Sequence, residues 1–397
     1  MAGVLSGLRV IEFTHMVAGP SCGQVLADFG AEVLKVEPPQ GDITRRMGPM
    51  IGSVAALYAC TNRNKDVICL DLTDATDAGA ARELALGADV VISNLDEAVL
   101  RKAHIDSAAL RAANPRLICV HVTGFGAGGP AGTDGLAQAA MGMMANTGSV
   151  QGPGFRTGPS VVDVSTGIWA ALGVFAALEN RRLTGRGDFI QASLADTCLY
   201  MQYPSLTMFD AAPEVVRRNG NHSVVACTPI FDTADGRLLV TVLHRRHWQA
   251  LCKATGADAL ADDPAFATNQ QRCDAQDRIE ELLNPLTRRR TRAQWVTQLR
   301  AVKIPCGPER GYAEVTADPD LHARGMLYRL GPTERPQADD IRRPPPEGGE
   351  QSGKATFARA GSTLQVRMPL DFETTQRCVP RAPPALPGAA AQGEERH

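Results

Sequence analysis

The alternation of short apolar strands with helices over the first 125 residues restricts the possible folds more than any other feature of the sequence. The run LRVIEFT (8–14) predicts a strand, GPSCGQVLADFG (19–30) a helix, and AEVLKVE (31–37) a second strand. Pro20 suits the first turn of that helix and Gly30 its end. These three elements form a βαβ unit, which joins two parallel strands.

The same alternation continues along the chain. It predicts strands at 67–72, 89–95 and 116–125, and helices at 75–88 and near 106–113. Repeated βα units favour a parallel sheet with helices on both faces, so we predict an α/β fold with a Rossmann-like large domain. Two more helices are predicted, one at 134–146 and one beginning near Asp163.

The pattern changes after about residue 210. The segment TPIFDTADGRLLVTV (228–242) predicts a hairpin with its turn at 234–236, and helices follow at 246–254, 270–284 and 291–301. We therefore predict a large domain over 1–210 and a smaller α+β domain over 225–325. The segment 332–354 is rich in Pro, Glu and Gly and predicts a surface connection, and the tail 381–397 is predicted to be disordered.

Composition excludes several classes of partner. The 41 basic and 43 acidic residues nearly balance, which argues against a nucleic-acid surface. The ten cysteines form no C-x-x-C pair and no cluster with zinc-ligand spacing, so we expect free thiols and no metal. The N-terminus lacks signal-peptide features, and no apolar run is expected to reach the roughly 18 residues of a membrane span. We expect a soluble, cytoplasmic protein without a membrane partner.

Common nucleotide and hydrolase motifs are missing. The sequence has no G-x-x-x-x-G-K-[ST], no G-x-G-x-x-G after the first strand and no G-x-S-x-G, which disfavours ATP-dependent, NAD-dependent and serine-hydrolase chemistry. The glycine-rich run GFGAGGPAG (124–132) follows a strand but lacks a phosphate-binding lysine. Asp163 stands before an apolar helix, where an aspartate ordinarily caps free N–H groups.

Several separate blocks together resemble the class III CoA-transferase family, also called CaiB/BaiF, which includes formyl-CoA and carnitine CoA-transferases. The blocks cover residues 5 to 330 in the family's order. They are GLRVIEFTHMVAGPSCGQVLADFGAEVLKVEPPQGD, DVVISN, NPRLICVHVTGFG, the D-x-x-x-G block that starts at Asp163, R-x-x-TGRG, DPAF, IPCGP and DPDLHARGM.

The resemblance implies an activity and a nucleophile. It implies transfer of CoA from an acyl-CoA donor, succinyl-CoA among the candidates, to a carboxylic acid, with no permanently bound cofactor and the CoA thioester as substrate. Asp163 occupies the position of the family's nucleophilic aspartate. A carboxylate can attack a thioester to give a mixed anhydride, which CoA converts to an aspartyl-CoA thioester. The helix N-terminus is expected to keep Asp163 ionised. The resemblance also implies that 326–380 returns to the large domain and that two subunits interlock as a homodimer.

The resemblance further marks the residues that contact CoA and those near the acyl group. Each of them also has an ordinary structural interpretation, as turn packing, a strand-end cap or a solvated helix charge. The CoA-binding set is Val17, Ala18, Leu70, Asp71, Leu72, Thr73, Asn94 and Arg101, and the candidates for the substrate pocket are His15, Thr133 and Asp134.

Three departures from formyl-CoA transferase limit what is carried over. Val17 stands where that enzyme has Gln, Pro38 stands where it has Arg, and RRNGNHSVVACTP (217–229) replaces its tetraglycine loop. Two alternatives stay open. One is an α-methylacyl-CoA racemase, although Thr133 replaces the histidine of the racemases' GHD triplet, and threonine is no base near neutral pH. The other is a non-catalytic acyl-CoA-binding protein.

Overall fold

The structure is a computed structural model that describes residues 3–331, 362–372, 375 and 378–387. The chain divides into two compact units. The first, called here the sheet unit, comprises Met1–Met141, Gly158–Met201 and Asp318–His397. The second unit comprises Gly142–Thr157 and Gln202–Ala317.

The strands are short, and their bounds in chain order are as follows. They are β1 (Arg9–Phe13), β2 (Glu32–Glu37), β3 (Met50–Ile51), β4 (Val54–Ala55), β5 (Asp66–Cys69), β6 (Val90–Ser93), β7 (Ile118–Thr123), β8 (Phe189–Ser193), β9 (Ile230–Thr233), β10 (Gly236–Val240), β11 (Cys306–Pro308), β12 (Leu327–Leu330) and β13 (Thr363–Val366).

The helices range from one turn to nearly seven turns. They are α1 (Ala18–Asp28), α2 (Ala56–Thr61), α3 (Ala75–Leu86), α4 (Glu97–Lys102), α5 (Ser107–Ala113), α6 (Asp134–Ala140), α7 (Met143–Asn146), α8 (Val161–Thr184), α9 (Leu194–Met201), α10 (Tyr203–Ala211), α11 (Arg245–Thr255), α12 (Asn269–Asp274), α13 (Gln276–Thr287), α14 (Arg292–Ala301), α15 (Tyr312–Thr316) and α16 (Pro319–Ala323).

The sheet unit is built on a six-stranded parallel sheet, which confirms the predicted α/β fold. Its strand order is β5-β2-β1-β6-β7-β8, so the order reverses between β1 and β6. Val10 pairs with Val33 of β2 on one side and with Val90 of β6 on the other. Four of the five β1 residues are buried, as expected for a central strand covered on both faces. The crevice at the carboxyl ends of β1 and β6 is the topological switch point, where open α/β sheets bind ligands.

Two helices of the sheet unit pack backbone against backbone at their N-terminal ends. A Cβ added at Gly167 of α8 would lie 2.5 Å from the Ser21 Cβ and 2.8 Å from the Ala18 carbonyl oxygen of α1. Only glycine permits this approach. Because Asp163 lies one turn before Gly167 on the same face of α8, the contact brings Asp163 close to the start of α1.

Some elements differ from the prediction. The helix predicted at 134–146 is broken into α6 and α7 by Gly142, whose φ is +86°. The helix predicted at 270–284 is likewise divided, into α12 and α13. Strand β8 was not predicted, because FIQAS alternates weakly and adjoins an apolar helix. It pairs with β7 and closes one edge of the sheet.

The second unit has its own core and sheet. The hairpin predicted over 228–242 is present as β9 and β10, and β11 extends it to an antiparallel sheet in the order β11-β10-β9. Phe231 of β9, Leu238 of β10 and Trp248 of α11 are among the buried side chains of this core.

The C-terminal part of the chain contributes β13 and a further segment to the sheet unit. The predicted connection at 332–354 lies outside the described residues, as do residues 388–397 of the predicted tail. Residues 381–387 are packed rather than free: the Arg381 guanidinium donates to the Asn64 carbonyl oxygen at 2.8 Å, and the Pro384 carbonyl accepts from Arg45 at 3.0 Å. Proline-rich composition suggested disorder here, but these specific polar contacts hold the segment.

Helix α8 is, within the described part of the chain, the one helix long and apolar enough to cross a membrane. Its most apolar window has a mean hydropathy of 1.8, which corrects the expectation that no such run exists. One buried face of this helix packs on α1, and a core helix of a soluble protein passes the same test.

Candidate active site

The turn that joins β1 to α1 lies at the switch point and is fixed by Asn94, the residue that follows β6. The His15 backbone N–H donates to the Asn94 Oδ1 at 2.9 Å, and the Asn94 Nδ2 donates back to the His15 carbonyl at 2.9 Å. Met16 has a φ of +64°, an uncommon conformation for a residue with a long side chain. A Cβ at Gly19 would lie 2.8 Å from the Thr14 Cβ. Asn94 therefore holds the turn in a tight, strained form.

Helix α1 starts from this turn without a side-chain cap. Its N-cap residue, Val17, makes no capping hydrogen bond, and Pro20 has no N–H to offer. The first turn of α1 thus presents the backbone N–H groups of Ala18 and Gly19 and the positive end of the helix dipole. Such a terminus is suited to an anionic oxygen.

Asp163 is the third residue of α8, and it does not cap that helix. The cap comes from Asp134, the first residue of α6, whose Oδ2 accepts from the Val162 N–H at 2.8 Å and from the Asp163 N–H at 3.0 Å. Ser160, the formal N-cap residue, makes no side-chain capping bond. The ordinary capping interpretation of Asp163 is therefore wrong.

Asp163 lines a cavity of about 540 Å³ at the carboxyl edge of the sheet. We call it the Asp163 cavity. It brings together six of the residues singled out from the sequence, namely His15, Ala18, Asn94, Arg101, Thr133 and Asp163.

The electrostatic environment favours the protonated form of Asp163. Burial, and secondarily the negative charge of Asp134, raise the pKa of the Asp163 carboxyl from 3.8 to about 6. This shift is opposite to the expectation that the helix N-terminus would help to keep Asp163 ionised. Above pH 6 the group is a carboxylate, and its raised basicity makes it a stronger nucleophile than an exposed aspartate.

The glycine-rich run 124–132 forms one wall of the Asp163 cavity. Its two ends touch, because a Cβ at Gly124 would lie 2.3 Å from the Gly132 nitrogen. Gly126 and Gly128 have φ values of +88° and +67°, which disfavour other residues there. This run is a weak motif in the sequence alone, but it lines the same cavity as Asp163.

A second cavity, of about 700 Å³, is lined by Leu70, Asp71, Leu72 and Thr73, and we call it the Leu70–Thr73 cavity. Asp71 shapes this segment: its Oδ1 accepts from the Thr73 N–H at 2.9 Å and hydroxyl at 2.7 Å, which lowers the pKa of Asp71. The two cavities share lining residues, including His15 and Met16. The two cavities therefore adjoin each other at the β1–α1 turn.

Two predicted residues do not line either cavity. The Val17 side chain is buried beneath the turn, and Asp134 lies behind Asp163 as its helix cap. Thr133 caps α6, its hydroxyl accepting from the Leu136 N–H at 3.4 Å. Arg101 reaches the Asp163 cavity from α4, where it pairs with Glu97.

Two lining residues were missed by the sequence analysis. Arg46 lines the Leu70–Thr73 cavity and donates to the Gln40 carbonyl at 3.1 Å. Because Pro38 stands where formyl-CoA transferase has an arginine, the sequence indicated that another arginine nearby could supply the positive charge. His121, the fourth of the six residues of β7, lines the Asp163 cavity, and burial lowers its pKa. The sequence places it within a predicted strand, but alternation alone does not show which way its side chain points.

The second unit contains a group of three potential metal ligands, His222, Asp277 and Glu280. The Glu280 Oε1 already accepts from the Ile230 N–H at 2.7 Å and lies 3.2 Å from the His222 Nε2. These bonds explain the arrangement as a loop-to-helix contact.

Comparisons with known proteins give matches over most of the chain. The sequence model described as CoA-transferase family III matches residues 5–389. The chain is 34% identical to a succinate–glutarate CoA-transferase of Agrobacterium fabrum, over 82% of this chain and 85% of that protein. It is 33% identical to an acetyl-CoA:oxalate CoA-transferase of Acetobacter aceti, over 83% of this chain and 86% of that protein.

Solved structures give the same result. A CaiB/BaiF family protein from Brucella suis superposes with a TM-score of 0.82 at 30% identity, covering 97% of each chain. A protein from Mycobacterium tuberculosis superposes with a TM-score of 0.79 at 27% identity, covering 96% of this chain and 97% of that one.

Proposed function

The chain belongs to CoA-transferase family III, and from that premise we propose that it moves CoA from an acyl-CoA donor to a carboxylic acid with Asp163 as the covalent nucleophile. The observation that carries the proposal is the division of labour between two aspartates. Asp134 caps α8, which leaves the Asp163 carboxylate free in a cavity beside the uncapped start of α1.

The first half of the reaction loads CoA onto the protein. The Asp163 carboxylate attacks the donor's thioester carbonyl, and CoA leaves as a thiolate while a mixed anhydride forms. The thiolate then attacks the aspartyl carbonyl, which gives aspartyl-CoA and releases the donor acid. The uncapped N-terminus of α1, whose Ala18 lines the Asp163 cavity, supports a role for its backbone N–H groups in stabilising the oxyanion that develops in each attack.

The second half reverses these steps with a different acid. The acceptor carboxylate attacks aspartyl-CoA, CoA thiolate leaves, and a second anhydride forms. The thiolate attacks the acyl carbon of this anhydride, which releases the new acyl-CoA and restores Asp163. The thioester energy is conserved throughout, so the cycle needs no cofactor besides the CoA thioester itself.

The shape of the two cavities supports a binding mode for CoA. The acyl end lies in the Asp163 cavity, and the nucleotide end lies in the Leu70–Thr73 cavity, with the pantetheine chain passing His15 and Met16. Arg46 supplies a cation for the phosphates in place of the arginine absent at Pro38. Asn94 acts indirectly, because both polar groups of its side chain bind the His15 backbone.

The acids are proposed from the relatives. Proteins similar to this chain are named as acting on succinate, glutarate, oxalate, mesaconate and citramalate, with succinyl-CoA in several names. We infer a small dicarboxylic acid as one substrate and succinyl-CoA as a donor. Arg101 and His121 are the side chains of the Asp163 cavity suited to a second carboxylate.

The racemase alternative is disfavoured by the local structure. The residue in the position of the racemases' histidine, Thr133, uses its hydroxyl as a helix cap. A non-catalytic binding protein is disfavoured because it would not need a carboxylate at position 163 that is free of helix capping, and here Asp134 supplies that cap instead.

A homodimer is proposed from the outer face of α8. Val164, Ile168 and Leu172, at helical spacing, are 44%, 52% and 53% exposed, which is unusual for a helix this apolar. Burial of these three side chains against a second copy of the chain explains why α8 carries an exposed apolar stripe. Light scattering of Ile168→Lys/Leu172→Glu should then report a monomer where the wild type is a dimer. The cytoplasmic location stays a prediction.

The decisive assay is CoA transfer among a panel of acids. Succinyl-CoA and acetyl-CoA, each with glutarate, oxalate or mesaconate, should give new acyl-CoA without net thioester hydrolysis. In parallel, a 2-methylacyl-CoA in deuterium oxide should gain no deuterium at Cα. Deuterium uptake without CoA transfer would favour the racemase, and tight CoA binding without either reaction would favour the binding protein.

A further inference from the structure

A cluster of fully buried charges lies beneath the β1–α1 turn and outside both cavities. Its centre is Glu12 of β1, and two ammonium groups approach it, from Lys35 of β2 and from Lys65, which precedes β5. All three side chains have 0% exposure. None of the three takes part in the chemistry proposed above.

Lys65 binds the far end of the turn. Its Nζ lies 2.8 Å from one carboxylate oxygen of Glu12 and 3.0 Å from the other. It also donates to the Pro20 carbonyl oxygen at 2.8 Å and to the Asn62 Oδ1 at 3.2 Å. Lys65 thus ties the first turn of α1 to the central strand.

Lys35 binds the near end of the same turn. Its Nζ donates to the Thr14 carbonyl oxygen at 2.9 Å and lies 3.3 Å from Glu12 and 2.9 Å from Asp42. The Thr14 hydroxyl in turn donates to Glu12. The two lysines therefore hold the carbonyls at both ends of the segment that carries His15, Met16 and the first amides of α1.

Helix α1 is shaped to admit this cluster. A Cβ at Gly23 would lie 1.9 Å from a Glu12 carboxylate oxygen and 3.3 Å from the Lys65 Nζ. Only glycine leaves room for the charges against the helix. Buried ion pairs give little net stability compared with apolar side chains of the same size, so stability alone does not account for the cluster.

We propose that Glu12, Lys35 and Lys65 are positioning residues, which clamp the carbonyls of Thr14 and Pro20 so that the backbone amides at the start of α1 face the acyl group on Asp163. The inference rests on the proposed function, since it assigns the clamp's purpose to that reaction. Loss of the clamp weakens stabilisation of the developing oxyanion more than binding of the ground-state thioester.

The test removes one opposite-charged pair without leaving a charge unpaired. Glu12→Gln/Lys65→Met removes both charges while conserving side-chain size. Arg181→Met/Asp89→Asn is the matched control. This partly buried ion pair, 3.2 Å apart, lies in the same unit but near the amino ends of the strands, since Asp89 directly precedes β6. Both variants are compared with the wild type for thermal unfolding, CoA-transfer kinetics and hydrogen exchange of peptides covering 14–23.

The clamp variant should lose at least about tenfold in kcat while its KM for acyl-CoA stays within about twofold, because the amides act on the transition state. Its 14–23 peptides should exchange faster. The control should show neither change at a comparable shift in unfolding temperature. Lys65→Arg keeps the charge but moves the donor away from the Pro20 carbonyl, so it should lower kcat in the same way but by less. This single variant replaces the double variant in the test if the double variant does not fold.

A folded clamp variant with wild-type kcat and unchanged exchange at 14–23 overturns the proposal. Hydrogen exchange distinguishes failure of the clamp from failure of the proposed function. A wild type without CoA-transfer activity refutes the proposed function, whereas the exchange rate of peptides 14–23 still shows whether the clamp holds the turn.

Discussion

The raised pKa of Asp163 predicts that Asp163→Asn stabilises the protein at neutral pH. A carboxyl whose pKa rises from 3.8 in the unfolded chain to about 6 on folding contributes most to stability when protonated, and that contribution is lost as pH rises through 6. At about 1.4 kcal/mol per unit, the ionised side chain costs up to about 3 kcal/mol at pH 7.5. Asparagine removes this cost and keeps the side-chain volume.

The prediction is tested by urea unfolding of both proteins at several pH values. The gain from Asp163→Asn should be largest at pH 7.5, about half as large at pH 5, and about 0.6 kcal/mol at pH 4, where the wild-type group is mostly protonated when folded. An equal or lower stability of the variant at pH 7.5 would refute the argument. A gain of the same size at pH 4 would show that its cause is not the charge.

Three further substitutions test other parts of the site. Asp134→Asn keeps an oxygen for the α8 cap but removes the negative charge that raises the pKa of Asp163. The acid limb of the pH profile of kcat/KM should therefore move to lower pH by less than about one unit, because burial is the larger cause of the raised pKa. Gly167→Ala should lower kcat at least about tenfold, because its methyl meets α1, while Gly79→Ala, which meets nothing within 4 Å, should leave kcat unchanged. Arg46→Gln should raise the KM for acyl-CoA about tenfold and leave that for an acyl-pantetheine unchanged, because only the former carries the nucleotide phosphates. An equal effect on both donors would remove Arg46 from the phosphate site.

The sheet was predictable because its signal is local. Each strand from β1 to β7 in the parallel sheet is a short run with apolar residues, and β1, β5 and β6 are each followed by a helix within a few residues, so periodicity alone indicates them. The failures occurred where the decisive contact is distant in sequence. Gly142 breaks a helix through its backbone conformation, and Arg381 holds the C-terminal segment through Asn64, more than 300 residues away.

The site was predictable only in part for the same reason. The position of Asp163 came from family resemblance, and the residues alone favoured a cap. That error had a physical origin, because the residue that supplies the cap, Asp134, lies 29 positions earlier on another helix. The buried partners of Glu12 were equally hidden, since Lys35 within β2 and Lys65 just before β5 look like ordinary surface charges in the sequence.

The most direct test of the covalent mechanism follows an oxygen atom. A single turnover with an acceptor acid labelled with ¹⁸O in its carboxylate should leave one heavy oxygen on the side chain of Asp163, because the second anhydride is cleaved at its acyl carbon. Repeated turnovers should raise the gain towards two heavy oxygens, because each cycle releases one of the two equivalent Asp163 oxygens in the donor acid. Mass spectrometry of the peptide containing Val161–Thr184 after many turnovers should show this gain, confined to Asp163. Continued CoA transfer with Asp163 unlabelled would contradict the account, since CoA would then pass between the acids without a bond to this residue.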